Sequence, residues 1–289
     1  MATKMFTPAR MATISVLLAL CSACGSVTGH AVSAGGGTGS TGRTGSTGST
    51  VPESSPVAHA TTPETTTSDT TGTRAPAPAT GLAVGALFSG DSHFCTASVV
   101  HSSTGNVVLT AAHCLTDGSG AEVREDLTFV PGYHDGAEPV GRWTVTETVI
   151  PAGWSSDSDP DLDFAFLIVH QDGNPASVES VTGANVLGHD RGFTHEVTVS
   201  GYPDSQDAPL VCHSTSSEFT SYQEQVACPG FTNGTSGGPW VTDVDPATGY
   251  GTVIGVIGGY QEGGDTADLS YSAYFDSDIQ HLFDSIGSR

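Results

Sequence analysis

The chain has almost no lysine. Lys4 is the only one in 289 residues, and all Lys and Arg together number 8 against 31 Asp and Glu. From residue 81 onward the fixed positive charges are Arg124, Arg142, Arg191 and Arg289. A formal net charge of -23 excludes a nucleic-acid role, because phosphate contacts require Lys and Arg. The same acidity fits solubility outside the cell, resistance to peptidases that cut after Lys or Arg, and long-range steering of cationic substrates. Long apolar runs are missing too. The run at residues 14–20 is too short to span a bilayer as a permanent helix. Residues 25–80 hold no Leu, Ile, aromatic or Cys and are mostly Gly, Ser, Thr and Pro. Such a segment cannot bury enough apolar surface to offset its ordering entropy, so it is expected to be disordered.

What is present at the start is ordered like an export signal over residues 1–24: Lys4 and Arg10, then the apolar run, then small residues. Leu20-Cys21-Ser22-Ala23-Cys24-Gly25 is similar to a bacterial lipobox, with Cys21 standing where leucine is usual. The expectation is a lipid on Cys24 followed by a 25–80 stalk that holds a domain, residues 81–289, away from a surface. The alternative is an ordinary secretory signal cut further on, near Ala34, or a 25–80 segment that acts as a pro-segment. Apart from such a lipid no membrane contact is expected.

Six cysteines occur, of which Cys95, Cys114, Cys212 and Cys228 lie in the 81–289 domain. An even number in an exported domain reads as two disulfides, with three pairings open. A zinc site is disfavoured because these four form no Cys-x2-Cys pair. No metal and no organic cofactor is expected.

Short apolar or alternating runs recur at 82–88, 94–100, 106–110, 127–131, 143–150, 164–169, 196–200, 240–244, 252–257 and 270–275, separated by Gly, Asn, Asp and Pro clusters. Many short strands with turn signals predict an all-β sandwich or a pair of barrels. One helix is predicted at the end. Ile279, Leu282, Phe283 and Ile286 follow helical spacing, with Asp276 and Ser277 available as caps.

Three short motifs carry chemistry. His113 sits in Leu109-Thr110-Ala111-Ala112-His113-Cys114. Asp163 follows Asp161-Leu162 and directly precedes the apolar run Phe164 to Val169. Ser236 sits in Gly234-Thr235-Ser236-Gly237-Gly238-Pro239. A histidine titrates near neutrality and can accept a hydroxyl proton, a buried carboxylate can orient it, and a Gly-lined turn can expose the hydroxyl beside backbone N–H groups. Asp161 is the second candidate for the carboxylate. Asp157, Asp159, Asp161 and Asp163 alternate like a calcium loop, but Leu162 stands where its glycine would be and Ile168 where its terminal glutamate would be. A solvated acidic turn accounts for Asp157 and Asp159.

With these motifs in the order His, Asp, Ser, the chain resembles the chymotrypsin-like (trypsin-fold) serine peptidases, more closely their bacterial secreted branch. That resemblance implies two six-stranded antiparallel β-barrels with a C-terminal helix. It implies an extracytoplasmic serine endopeptidase, a monomer acting on protein or peptide substrates, with His113, Asp163 and Ser236 as triad. It implies Gly234 and Ser236 as oxyanion donors and a Cys95–Cys114 bridge beside the histidine, and with it Cys212–Cys228. An esterase on the same triad, or a non-catalytic surface binding protein on the same fold, are the alternatives.

Three departures from the family stand out. Thr235 replaces the aspartate that pairs with a new N-terminus in the animal digestive members, so no zymogen switch of that kind is expected. Gly230 stands where a trypsin-specific member carries Asp, and Ile257 where glutamate-specific relatives carry His. Gly258 replaces a serine that helps hold the catalytic aspartate. The resemblance makes Gly230, Phe231, Asn233, Ile257, Gly258, Gly259 and Tyr260 the substrate pocket, with neutral walls suited to small or medium apolar side chains.

Overall fold

The computed structural model describes residues 73–74 and 81–287. The export signal, Cys21, Cys24 and the expected linker other than 73–74 lie outside the described residues. Within that linker stretch, β1 (Thr73–Arg74) is a two-residue strand paired antiparallel with Leu210 and Val211.

The first half is a closed antiparallel barrel. Its strands are β2 (Val84–Ser89), β3 (Ser92–Val100), β4 (Val107–Thr110), β5 (Leu127–Pro131), β6 (Trp143–Val149) and β7 (Ala165–His170), in the order β2-β3-β4-β7-β6-β5. β2 closes the barrel by pairing with β5 from Gly85↔Pro131 to Ser89↔Leu127. These segments are rich in Val, Phe and Trp, which pack well on a pleated surface. Leu87, Val99, Val108, Leu109, Phe129, Trp143, Phe166 and Leu167, on the two faces of its strands, are fully buried in one core. Two short helices were not legible in the sequence. α1 (Ala152–Asp157) buries Trp154, whose indole Nε1 donates to Thr116 O at 2.9 Å. α2 (Val178–Thr182) starts at Ser177, whose hydroxyl accepts from Ser180 N.

The second half holds β8 (Val186–Leu187), β9 (Glu196–Gly201), β10 (Leu210–Thr215), β11 (Ser217–Thr220), β12 (Gln223–Ala227), β13 (Pro239–Thr242), β14 (Thr252–Val256) and β15 (Leu269–Ala273). The strands form a six-stranded sheet, β1-β10-β9-β13-β14-β8, and a three-stranded sheet, β11-β12-β15, and β8 runs parallel to β14. Every residue of β11 is exposed, and the strand forms an edge of the three-stranded sheet.

The predicted terminal helix is α3 (Ser277–Ile286), capped by Asp276, whose carboxylate accepts from Asp278 N at 2.8 Å. Ile279 is fully buried, and Leu282, Phe283 and Ile286 pack on the core of the first barrel. The chain thus returns from the second half to seal the first. Two disulfides add covalent ties: Cys95–Cys114 and Cys212–Cys228, with Cα separations of 6.2 and 5.8 Å.

One buried acid stands out. Glu224 on β12 lies opposite Ser272 on β15, and neither of its carboxylate oxygens finds a hydrogen-bond partner among the described residues. Burial pushes its carboxyl well above the ordinary 4.5. A carboxyl raised in the folded state holds its stability below the unfolded value and loses it as pH climbs through the folded one. Glu224→Gln removes that loss. Its thermal midpoint relative to the wild type's is expected to rise as pH climbs above the unfolded carboxyl's value of about 4.5. Melting curves above that value check it, and a constant or falling difference refutes it.

Candidate active site

Asp163 is the most constrained charge in the molecule. It sits at the end of the 3-10 turn Pro160–Leu162, just before β7, and is fully buried. A buried carboxylate is costly unless it is hydrogen-bonded on all sides. Three N–H groups meet it. His113 Nδ1 lies 2.7 Å from Oδ2, the His113 backbone N donates to Oδ1 at 2.9 Å, and Gly259 N donates to Oδ2 at 2.8 Å. Because the carboxylate only accepts, His113 Nδ1 carries the proton, and Nε2 is left as the basic nitrogen. The ring is 9% exposed and lies beside Trp154 at 6.5 Å between centroids. Burial alone lowers the imidazole pKa, but the charge and hydrogen bond of Asp163 more than offset it, and the net value lies above the ordinary 6.5.

Gly258 explains how the site dispenses with a serine at that position. A Cβ there would sit 2.9 Å from Asp163 Oδ2 and 3.1 Å from its carbonyl oxygen. The backbone amide of Gly259 supplies the donor instead. Asp161, the second candidate for the carboxylate, is committed elsewhere: its Oδ1 accepts from Gln223 Nε2 at 2.7 Å. Asp159 accepts from Asp161 N at 3.1 Å and caps the short turn, and Asp157 accepts from its neighbour Ser156. Gln223 was not singled out from the sequence. Besides Asp161 it donates to Pro160 O at 2.9 Å and accepts from Tyr260 N at 3.0 Å, so it ties the aspartate turn to the 258–260 wall.

The Ser236 turn is held against the histidine's barrel. Ser236 O accepts from Thr96 N at 2.7 Å, and Thr96 follows Cys95, which is bonded to Cys114 beside His113. Gly237, at φ +78°, approaches so closely that a Cβ would lie 2.2 Å from Thr110 Oγ1 and from Thr96 O, and 3.0 Å from Ala111 N. Residues 110 and 111 lead directly into His113. On the other side Gly237 N donates to Ile257 O at 2.7 Å, and Ile257 N to Gly238 O at 2.9 Å. The Ser236 hydroxyl is partly exposed and makes no hydrogen bond among the described residues. Within the turn, Thr235 N donates to Thr232 O at 3.1 Å, while the N–H groups of Gly234 and Ser236 on either side donate to no acceptor among the described residues. Thr235, where the animal enzymes carry aspartate, turns its hydroxyl onto Thr232 O at 2.7 Å.

Thr96 is a second residue that sequence reading missed. It is fully buried, its Oγ1 donates to Gly234 O at 3.0 Å, and it accepts from Tyr202 N at 2.8 Å. One threonine therefore orients the peptide on either side of the candidate oxyanion donors.

Beside Ser236 lies a cavity of about 150 Å³. Phe231, Thr232, Asn233 and Thr235 form one wall, and Ile257 with the turn from Glu262 to Ala267 forms the other. Of the residues named from the sequence, Phe231, Asn233 and Ile257 line this cavity. Gly230, Gly258, Gly259 and Tyr260 do not. Gly258 and Gly259 serve Asp163, and Tyr260 is exposed in a ring cluster with Phe219 and Tyr271. Glu262 and Asp265 also belong to the lining, beside the neutral residues expected there.

Ligand atoms of Cys95, His113 and Cys114 all lie within 4.8 Å of one another. The two sulfurs are bonded to each other, so neither is a thiolate, and the trio does not fit a metal.

A closed antiparallel barrel joined to a second β half, with a His–Asp pair and a glycine-lined serine turn between them, defines a chymotrypsin-like serine peptidase. The family model for the trypsin-like peptidase domain matches residues 95–256, a span that holds His113, Asp163 and Ser236, and the chain belongs to that family. Among solved structures, the protease Anisep from Arthrobacter nicotinovorans is 25% identical, with a TM-score of 0.63 over 74% of this chain and 99% of that one. The thermostable serine protease AL20 from an extremophilic microorganism is 26% identical, with a TM-score of 0.64 over 73% and 99%. A Glu endopeptidase shares the fold at 15% identity, with a TM-score of 0.63 over 77% and 99%. No curated protein sequence matches the chain. The chain is a serine-type endopeptidase, and proteins or peptides are its substrates.

Thr96→Val removes the hydroxyl while keeping the shape, and strands a buried carbonyl and a buried N–H. Such a loss costs about 1–3 kcal/mol. The kcat of peptide hydrolysis is expected to fall roughly tenfold or more, with KM little changed, and Thr96→Ser is expected to restore most of it. Equal losses in both variants would show that the methyl group matters and the hydroxyl does not.

Proposed function

We propose that the protein is an extracytoplasmic endopeptidase working through a Ser236 acyl-enzyme. The observation that carries this reading is the His113–Asp163 pair, with the Ser236 turn strapped to the strand and disulfide beside it. His113 Nε2 takes the hydroxyl proton as Ser236 Oγ bonds to the scissile carbonyl carbon. The carbonyl oxygen becomes an oxyanion, which accepts hydrogen bonds from the N–H groups of Gly234 and Ser236. The C–N bond then breaks, and His113 gives its proton to the leaving amine. Water repeats the sequence on the acyl-enzyme, with His113 again as base, and frees the acid and Ser236. Asp163 keeps its charge throughout and stabilises the imidazolium. Catalytic hydrogen bonds are often loose without substrate, and a Ser236 hydroxyl without a partner is compatible with this role.

Two disulfides support a location outside the reducing cytoplasm. Among the described residues no helix is long and apolar enough to cross a membrane. A lipid on Cys24 would tether the domain by the 25–80 segment, and a monomer is sufficient, since all three side chains come from one chain.

A fluorophosphonate probe is expected to label the wild-type protein and to leave Ser236→Ala unlabelled. Persistent labelling of that variant would move the nucleophile elsewhere, and unlabelled wild type would remove the catalytic reading. Casein and a matching ester, assayed side by side, separate a peptidase from an esterase.

The base must be neutral to act, so kcat/KM is expected to fall as pH drops through a midpoint above 6.5. Asp163→Asn removes the charge that lifts this midpoint and the acceptor that orders the ring. It is expected to cut kcat by about 10⁴-fold and to move the residual activity's midpoint downward. An unmoved midpoint would disconnect Asp163 from the titrating group.

A further inference from the structure

We infer that the cavity beside Ser236 selects a positively charged side chain, lysine or arginine, on the substrate residue whose carbonyl is attacked, and that Glu262 and Asp265 select it. The inference rests on the endopeptidase reading and names its substrate class.

Position in the site comes first. The cavity is lined by Ser236 itself, so whatever fills it belongs to the residue being acylated. Its charged lining residues are Glu262 and Asp265, and neither Lys nor Arg lines it. The apolar contributions come from Phe231 and Ile257, both buried, which offer flanks to an alkyl stem. A lysine or arginine side chain has this division, an apolar stem and a charged head that seeks polar surroundings. A purely apolar side chain would leave Glu262 and Asp265, the charged part of the lining, without an opposite charge.

The two acids are held, not merely nearby. Glu262 N donates to Gly259 O at 2.9 Å, which fixes the Glu262 turn to the residue that binds Asp163. The Asp265 carboxylate takes a hydrogen bond from Gln261 Nε2 on one oxygen, and its other oxygen has no partner among the described residues. Glu262 is also one of the charges that raise the His113 pKa, so its carboxylate acts on the reacting centre. The selecting charge thus enters from the 262–265 turn. Gly230, where a trypsin-specific member carries it, contributes none. The net charge of -23 acts in the same direction at long range, drawing cationic peptides to the surface and repelling acidic ones.

The test uses the full chain and peptides that differ only in the residue before the scissile bond: Lys, Arg, norleucine, Leu, Ala and Glu. At low salt the kcat/KM for Lys and Arg is expected to exceed that for norleucine by about tenfold or more, and the ratio is expected to shrink as salt is added. Pairs this exposed give roughly two- to fivefold each, so Glu262→Gln and Asp265→Asn should each lower the Lys:norleucine ratio by that factor, and the double variant should bring it near one. Ratios are taken within each variant, so a partly unfolded preparation cannot mimic the effect. Asp265→Lys should in turn favour the Glu peptide over norleucine, a gain that damage to the fold cannot produce. Cleavage that prefers norleucine, Leu or Ala in the wild type, or a Lys preference that survives the double variant, overturns the inference while leaving the endopeptidase reading intact. No cleavage of any peptide, together with no fluorophosphonate labelling of Ser236, overturns both.

Discussion

The buried charge of Asp163 is the constraint on which the rest of the structure depends. A carboxylate with no exposure is stable only where donors surround it, and here all three come from backbone or from the histidine it orients. Two of those donors belong to His113 in the first barrel, and the third belongs to Gly259 in the second half. The two halves must therefore meet at this point for the charge to be accommodated. The same contact makes the catalytic geometry a by-product of folding, since a histidine misplaced from Asp163 would leave a buried anion short of two hydrogen bonds.

The serine side is fixed by a different principle, close backbone approach. Ser236 is brought to the first barrel through its own carbonyl, and Gly237 through the absence of a side chain. Thr96 completes the arrangement by holding Gly234 O and Tyr202 N at one oxygen. Because these ties use the carbonyl of residue 236 and its neighbours, they leave the Gly234 and Ser236 N–H groups free to face an oxyanion. The disulfide from Cys95 to Cys114 runs between the strand that makes these ties and the histidine that uses them.

Much of the first barrel was legible because its strands are Val-rich and bounded by turn residues. The run at 127–131 coincides with β5, and the predicted α3 spacing places Ile279 inside. The His113, Asp163 and Ser236 motifs were legible because each is short and chemically distinctive. Among the strands that escaped, β11 and β12 are polar in pattern. β12 opens Gln223-Glu224-Gln225 yet buries Gln223 and Glu224, and β11 is exposed throughout. Hydrophobic periodicity cannot find a strand whose buried residues are amides and acids. The pocket escaped for a related reason. Its family positions lie at 230–233 and 257–260, but the turn at 261–262 adopts left-handed backbone at Gln261 and Glu262, φ 52° and 53°, and swings residues 262–267 into the wall. Nothing in Gln-Glu announces a left-handed pair, since such positions usually carry Gly or Asn.

The exchange of side-chain donors for backbone donors runs through the whole site and bears on how such enzymes vary. At residue 258 the family's serine hydroxyl is gone, and a Cβ could not be accommodated without meeting Asp163. The Gly259 amide does the same work at 2.8 Å. A backbone donor is indifferent to which side chain it carries, but it demands a particular path of the chain. That path delivers Gly259 to Asp163, sets Glu262 N on Gly259 O, and so carries the acidic turn to the cavity mouth. Orientation of the base and the charge of the pocket are then consequences of one stretch of backbone. A change that restored a serine at 258 would press on Asp163 and, through Gly259, displace Glu262 as well.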